Sequence, residues 1–341
     1  MWRGTLIGVT VVAILGAGLW LGGETVAADR LRQHIAQSPA LDAASVTPLR
    51  SPEGMGLRLE APAVGDARAG LALPWARLLL SPTSPTTLQL DLPPEGRLTL
   101  DGRVHDLTAG AAQALLSVAP LRGMVVDALH IEARDLRIDG MALARQIDLD
   151  LAMQRLGHDA PRPARASYDA DIAIDGMAQA GLSQLGLQAG ELPGDLSAQG
   201  VVRLWLDGPL RPGQARPPQL VGGQTDGLTL ASGDLSARIV ARLAADEAGF
   251  AQGRVALYTR DAGAIVDHMA ELGLIPDGAR LLLRAGLSQL GRAGFAQGDA
   301  PQPGPDFPEA TGDELRLPLL FQDGQMFLGT VPLGPAPRLL P

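Results

Sequence analysis

From residue 41 onward the chain alternates apolar and polar residues with a period of two, and this pattern restricts the fold more than any other feature. It runs through Met55-Gly-Leu57-Arg-Leu59-Glu, Leu88-Gln-Leu90-Asp-Leu92, Leu98-Thr-Leu100-Asp and Ile147-Asp-Leu149-Asp-Leu151-Ala-Met153. It returns at Ile172-Ala-Ile174-Asp, Val202-Arg-Leu204-Trp-Leu206-Asp, Leu228-Thr-Leu230 and Leu315-Arg-Leu317. Successive strand side chains point to opposite faces, so each segment buries one face and wets the other. One-sided burial belongs to antiparallel sheets, whereas buried parallel strands are apolar on both faces. Six of the Asp-Gly pairs, at 101–102, 139–140, 175–176, 207–208, 226–227 and 323–324, predict tight hairpins between the strands.

Helical periodicity is sparse. Ala262 to Leu274 places Ile265, Met269 and Leu272 on one face, with Gly273 and Pro276 as stop signals. Ala279 to Leu290 follows and completes an expected helical hairpin on the sheet. Ala109 to Ala119 and Ala178 to Leu187 are further helix candidates. Ala180-Gly-Leu-Ser-Gln-Leu-Gly186 recurs verbatim as residues 285–291, a pattern that fits either a duplicated module or chance in an Ala, Gly and Leu-rich chain. Pro- and Gly-rich stretches at 157–165, 208–223 and 297–313 read as surface loops or a boundary.

The amino terminus is of another kind. Gly4 to Gly23 is twenty residues without a charge, with Trp2 just before it and Trp20 near its far end. At about 1.5 Å per residue such a helix spans about 30 Å, the hydrocarbon thickness of a bilayer. Val26-Ala27-Ala28 resembles a small-residue cleavage site, but the apolar run exceeds the usual length of a removed signal peptide. Ala27 to Gln37 also continues as a helix, with Leu31 and Ile35 one turn apart. The favoured reading is an uncleaved anchor in the bacterial inner membrane, single-pass, with the main domain in the periplasm. The expected organisation is therefore an anchor or signal segment at 1–23 and a juxtamembrane helix at 24–40. A β-sheet half at 41–156 and a second β-rich half at 165–341, with helices near 262–274 and 279–290, complete it. The fold class is mainly β (α+β), an extended, curved antiparallel sheet with a small helical hairpin.

Composition removes whole classes of chemistry. The chain has no Cys, no Lys and no Asn, so all 28 basic residues are Arg. Without Lys there is no phosphate-loop clamp and no Schiff base; without Cys there is no thiol nucleophile, disulfide or thiolate metal site. The net charge of −9, with no basic run and few aromatics, speaks against a nucleic-acid partner.

Of the five His residues, His130-Ile-Glu132 places an imidazole and a carboxylate on one strand face, and His105 adjoins Asp106. Neither has a further ligand at metal spacing. Asp148 with Asp150, and Asp169 with Asp171, are paired carboxylates of the type that binds a hard cation or works as acid and base. Both pairs fall on the outward positions of alternating strands, where solvation explains them. Ser183 lacks the second Gly of a nucleophile elbow, and Asp261 reads as a helix cap. The sequence assigns no catalytic, cofactor-binding or metal-ligating residue and no cofactor. The apolar sheet face is either a closed core or a groove open to an acyl chain or partner.

The carboxyl end, Leu315-Arg-Leu-Pro-Leu-Leu-Phe-Gln-Asp-Gly324 through Gly329-Thr-Val-Pro-Leu-Gly334-Pro-Ala-Pro337, resembles the closing hairpin of an uncharacterised bacterial family. Asp207-Gly-Pro-Leu, Gly233-Asp-Leu-Ser-Ala, Gly253-Arg-Val-Ala-Leu and Glu271-Leu-Gly-Leu-Ile-Pro276 are similar in order and spacing. The likeness is strongest over 200–337 and weakest over 41–80. The family is a domain of unknown function whose members look like single-span envelope proteins; the resemblance implies a β-rich fold and an envelope location, and carries no activity. The expected partners are the inner membrane through residues 4–23, a lipid or other apolar ligand, and envelope proteins. The expected role is non-enzymatic binding or scaffolding, with a purely structural or assembly role as the alternative.

Overall fold

The computed structural model describes residues 23–38, 41–49, 55–80, 84–185, 193–212, 218–271, 280, 281, 284, 305–329 and 331–340. The chain divides into two compact units, Met1–Met153 with Pro209–Pro217, and Gln154–Gly208 with Pro218–Pro341. The fold is mainly β, and every strand pairing among the described residues is antiparallel. Among the described residues no helix is long and apolar enough to cross a membrane, and residues 4–22 of the expected span at 4–23 lie outside them.

The first unit opens with helix α1 (residues 23–37). Strands β1 (Leu41–Asp42), β2 (Ser45–Pro48), β3 (Met55–Glu60), β4 (Ala63–Gly65), β5 (Ala69–Ala72) and β6 (Trp75–Leu80) follow. They are succeeded by β7 (Thr87–Asp91), β8 (Glu95–Leu100), β9 (Arg103–Thr108), β10 (Ala111–Ala119), β11 (Val125–Ile138) and β12 (Met141–Gln154). One ladder runs β2–β3–β6–β7–β10–β11–β12 and a second runs β1–β4–β5–β8–β9. The far end of β11 joins them by pairing Arg137 and Ile138 with Thr108 and Leu107.

Register converts the alternation into a core. Leu57, Leu78, Leu90 and Ala114 stand opposite one another across four strands, and Leu80, Leu88 and Leu116 form the next row. Helix α1 lies over these rows: Ala27, Ala28 and Leu31 are buried in the same cluster, and Ile35 packs against it. Their spacing is one face of a 3.6-residue repeat, and alanines at the contact let the helix axis approach the sheet closely. Polar contacts fix its direction. The Glu24 carboxylate accepts the Gly56 N–H at 2.9 Å, and the Arg32 guanidinium donates to the Val46 carbonyl. The helix therefore starts at the Met55 end of β3 and runs along it.

The expected helix at 109–119 is instead strand β10. Its alanines favour a helix in isolation, but Leu88 and Leu116 need one another across the β7–β10 ladder, and β11 claims its other edge. Tertiary pairing outweighs a propensity difference of a few tenths of a kcal/mol per residue. Segment 41–80, where the family likeness is weakest, folds as β1–β6.

The second unit is a meander, β13 (Ala166–Met177), β14 (Leu196–Leu206), β15 (Leu220–Ser232), β16 (Leu235–Ala245), β17 (Ala251–Thr259), β18 (Leu315–Gln322), β19 (Gln325–Leu328) and β20 (Val331–Pro335), each strand pairing with the next. Helix α2 (Gln179–Gln184) covers part of the expected 178–187 segment, and α3 (Ala262–Glu271) most of 262–274. The expected loop at 208–223 ends earlier, because Leu220 to Gly223 already pair with β14 and β16. Helix α3 begins where expected, its Ala264 N–H received by the Asp261 carboxylate at 3.0 Å. Its buried stripe is Ala262 and Val266 with Ala270 beside them, against Leu317, Leu328 and Leu333. Ile265 is half-buried, so the small residues rather than the larger ones face the sheet; Met269 and Leu272 lie outside the described side chains. Most of the expected second helix, and the second copy of the repeat, also lie outside the described residues. Arg280 and Arg284, which are described, both reach the Asp267 carboxylate of α3, at 2.8 and 3.3 Å.

These six Asp-Gly pairs fall into three groups. At 101–102, 139–140 and 323–324 both residues have positive φ (48 and 79°, 50 and 78°, 53 and 70°), the signature of type I′ hairpins. Asp226-Gly227 and Asp175-Gly176 sit instead at register shifts within β15 and β13. Asp207-Gly208 ends β14 without a hairpin. Glycine is irreplaceable at Gly253 for two reasons: its φ is 141°, and a Cβ there would lie 2.2 Å from the Arg242 carbonyl oxygen. Gly253→Ala is expected to destabilise the protein by more than about 1 kcal/mol, read as a lower urea midpoint. An unchanged midpoint would show that β17 can flatten at no cost.

Candidate functional site

Four places bring polar groups together. The first is built on β9 and the β11–β12 turn. His105 is buried, and its Nδ1 lies 2.7 Å from the Asp139 carboxylate. The other Asp139 oxygen accepts the Asp106 N–H at 2.9 Å, and the Asp139 N–H donates to the Asp106 carbonyl at 2.8 Å. The sequence neighbour Asp106 is therefore not the imidazole's carboxylate; a residue 34 positions later is. The hydrogen bond from His105, then that from Asp106, hold the Asp139 carboxyl below the usual carboxylate range. A general base must reach a substrate proton, and the His105 side chain is only 9% exposed. The arrangement latches the turn to β9.

This fixes a pH dependence. A carboxyl whose pKa is depressed by folding contributes stability above its unfolded value and loses it as pH falls through the folded value. Asp139→Asn keeps a side chain that tolerates positive φ but removes the charge. Its stability deficit is expected to be full above about pH 5 and to shrink as pH drops below about 4, the ordinary carboxylate value. Urea unfolding of both proteins from above about pH 5 to well below about pH 4 checks this; a deficit independent of pH would mean that the charge contributes nothing.

The second place is the wet face of the first unit's sheet. Thr47, Arg58, Arg77, Asp91, Gln113, Glu132 and Asp148 stand opposite one another across seven strands. Trp75 lies between the two arginines, its ring 5.7 and 5.2 Å from their guanidinium carbons. His130 faces Asp150, with Nδ1 to Oδ1 at 2.7 Å, while Glu132 takes Arg134 and Gln113. His130 and Glu132 share a strand face, as the alternation implies, but each is engaged by its own partner and they do not converge on one site. Asp148 and Asp150 serve separate partners, Gln146 and His130. Among the described residues no group of three His, Asp or Glu side chains is arranged to hold a metal ion.

The third place was not legible in the sequence. On one face of the second unit's sheet, Asp169, Arg203, Gln224, Arg242 and Arg254 form a cross-strand row, with Arg238, Tyr258 and Arg316 in another. Asp169 grips Arg203 through both oxygens, at 2.8 and 3.0 Å, which raises the Arg203 pKa further; Asp171 takes no part. Arg242 stacks 4.8 Å over the Trp205 ring, bonds Gln224 at 3.0 Å and reaches Asp159. Trp205 lies over Gly222, where a Cβ would come within 3.2 Å of the ring. Arg238 stacks 4.1 Å over Tyr258, whose hydroxyl donates to the Pro308 carbonyl and whose pKa burial pushes up. Each arginine is engaged by a carboxylate, a carbonyl or a ring. The rows hold segments 159–164 and 307–310 on the sheet, as Ala160 and Ala164 about Trp205 and Phe307 and Ala310 about Tyr258 show.

The fourth is a shallow groove of about 250 Å³ over β1, β4, β5 and β8. Leu41, Val64, Leu71, Ala63 and Ala72 line it, with Asp42, Asp66 and Thr99 at its polar parts. Asp66 already accepts the Arg68 and Ala69 N–H groups of its own turn. The lining is mixed, apolar along Leu41, Val64 and Leu71 and polar at Asp42, Asp66 and Thr99.

No curated protein and no solved structure matches the chain. A family described as an uncharacterized protein conserved in bacteria, DUF2125, matches residues 25–337. That stretch begins in α1 and ends past β20, so it takes in the helix seated on the first sheet and both sets of strands. The chain belongs to this DUF2125 family of uncharacterized bacterial proteins.

Proposed function

We propose that this protein is a non-enzymatic scaffold of the bacterial envelope, held in the inner membrane by residues 4–23 with its β units in the periplasm. The observation that carries this reading is the covering of the first unit's apolar sheet face by α1, through Ala27, Ala28, Leu31 and Ile35. A sheet whose apolar face is filled by its own chain is left with polar surfaces and strand edges to offer, which suits protein partners better than a long lipid. The helix that fills it begins at residue 23, where the uncharged run of the sequence ends. Crosslinking of the full-length protein in intact cells tests the reading. Reproducible envelope-protein adducts are expected, and their absence with several chemistries would sink it. An alkaline phosphatase fusion at the carboxyl end, active only outside the cytoplasm, tests the orientation.

A second reading, the holding of a short apolar ligand, rests on the groove lined by Leu41, Val64 and Leu71. Its volume falls just below that of ordinary ligand pockets, about 300–1,000 Å³. A photoactivatable fatty acid that labels residues 63–72 would favour it, and labelling no stronger than that of a control protein would remove it.

A further inference from the structure

We propose that the end of the first sheet formed by the β10–β11 turn and the start of β3 is a bilayer-docking surface, which inserts Leu121 among the lipid headgroups. Met55 opposes Leu80, Leu80 opposes Leu88, Leu88 opposes Leu116, and Val118 opposes Val126. The start of β3, the end of β6, the start of β7, the end of β10 and the start of β11 therefore share one end of the sheet. From that end projects the turn Pro120–Arg122, closed by Gly123 in the left-handed region.

Leu121, at its tip, is fully exposed at 102%. Met55 and Val26, at the same end, are 41 and 42% exposed. Helix α1 enters there too, since Glu24 bonds the N–H of Gly56. The uncharged run of residues 4–23 therefore meets the folded unit at the end that displays these three apolar side chains.

Charge decides what drives the contact. The chain carries −9, so attraction to anionic lipid is not the source. Burying a leucine side chain contributes about 1.5–3 kcal/mol, too little to recruit a free protein. A chain already tethered at the same end meets the surface at high effective concentration, and such a contribution then suffices to orient it. Arg122 beside Leu121 is exposed and long enough to keep its guanidinium at headgroup level while its stem lies along the apolar boundary.

The inference rests on the anchored reading, and its test separates the two. The chain has no Cys, so Leu121→Cys and Glu95→Cys each accept one environment-sensitive fluorophore. Glu95 is exposed at the start of β8, facing Thr108, at the other end of the unit. Full-length protein is reconstituted into phosphatidylcholine vesicles with or without brominated acyl chains. The expected result is flotation with the vesicles, a blue-shifted label at 121 quenched at least two-fold by bromolipid, and a water-exposed, unquenched label at 95. Flotation with a water-exposed label at 121 overturns docking and leaves the anchor standing, whereas failure to float overturns both. A label at 121 shielded from water but unquenched by bromolipid means a protein contact, a second copy included, and also overturns the proposal.

Discussion

Replacing Trp205 by alanine is expected to destabilise the second unit by about 3–5 kcal/mol, the range for a buried aromatic removed from a core. Trp205 is among the largest fully buried side chains of the protein. It fills the space above Gly222, packs with Ala164 and Val221, and supplies the ring on which Arg242 stacks. Its loss opens a cavity and also uncovers one face of a guanidinium whose side chain is only 13% exposed. Arg242 would keep Gln224 and Asp159 but lose a cation–π contact of about 0.5–2 kcal/mol. The melting temperature should fall by roughly 6–20 °C for a unit of this size. A double-mutant cycle with Arg242→Met separates the two effects, since the coupling between the residues reports the stacking alone. A change under about 1 kcal/mol, the level of an average substitution, would mean that segment 159–164 is not held by this ring.

Leu31→Ala is expected to destabilise the first unit by about 2–5 kcal/mol. Leu31 is completely buried between Ala27, Ala28 and the sheet residues Val46, Leu57 and Leu78. The neighbouring Arg30→Ala, on the exposed side of the same helix, should stay within about 0.5 kcal/mol. Because α1 covers the apolar rows, its loosening exposes them. The same variant should bind a hydrophobic dye and become sensitive to protease within residues 24–38 before the sheet itself unfolds. If Leu31→Ala and Arg30→Ala behave alike, α1 is not part of the core. The covering of the sheet that favours a scaffold over a lipid carrier would then fall with it.

The two substitutions probe contacts of different legibility. Leu31 and Ile35 announce a helix face by their spacing, and a face of that kind has to be buried against something. Nothing in the order of residues says that the something is β3 and β6. Trp205 announces only a strand position, as part of Val202-Arg-Leu204-Trp-Leu206. Its stacking partner comes from β16, two strands further along the meander. His105 shows the same limit, since its carboxylate lies 34 residues away in a turn recognisable only as Asp139-Gly140. Each of these contacts depends on which strands lie side by side, which period-two alternation does not encode.

Ala111 to Ala119 marks the point where local reading gives a wrong answer. Its alanines satisfy a helix, and the residues that override them, Leu88 in β7 and the long run of β11, lie elsewhere in the chain. The Asp-Gly pairs divide on similar grounds. The dipeptide permits positive φ, but whether it closes a hairpin or lodges in a bulge depends on whether the next strand pairs back at once.

The order of residues alone is thus enough to show that the chain is mainly antiparallel β, that Asp139-Gly140 and Asp323-Gly324 turn tightly, and that Asp261 starts a helix. These are consequences of backbone sterics and side-chain period, which act over a few residues. Only the tertiary structure decided that α1 closes the apolar face of the first sheet, that Ala111–Ala119 is a strand, and that the arginines of β14 and β16–β18 clamp segments onto the second. Those outcomes arise from burial and charge pairing between residues tens of positions apart, where the free energy depends on which surfaces meet.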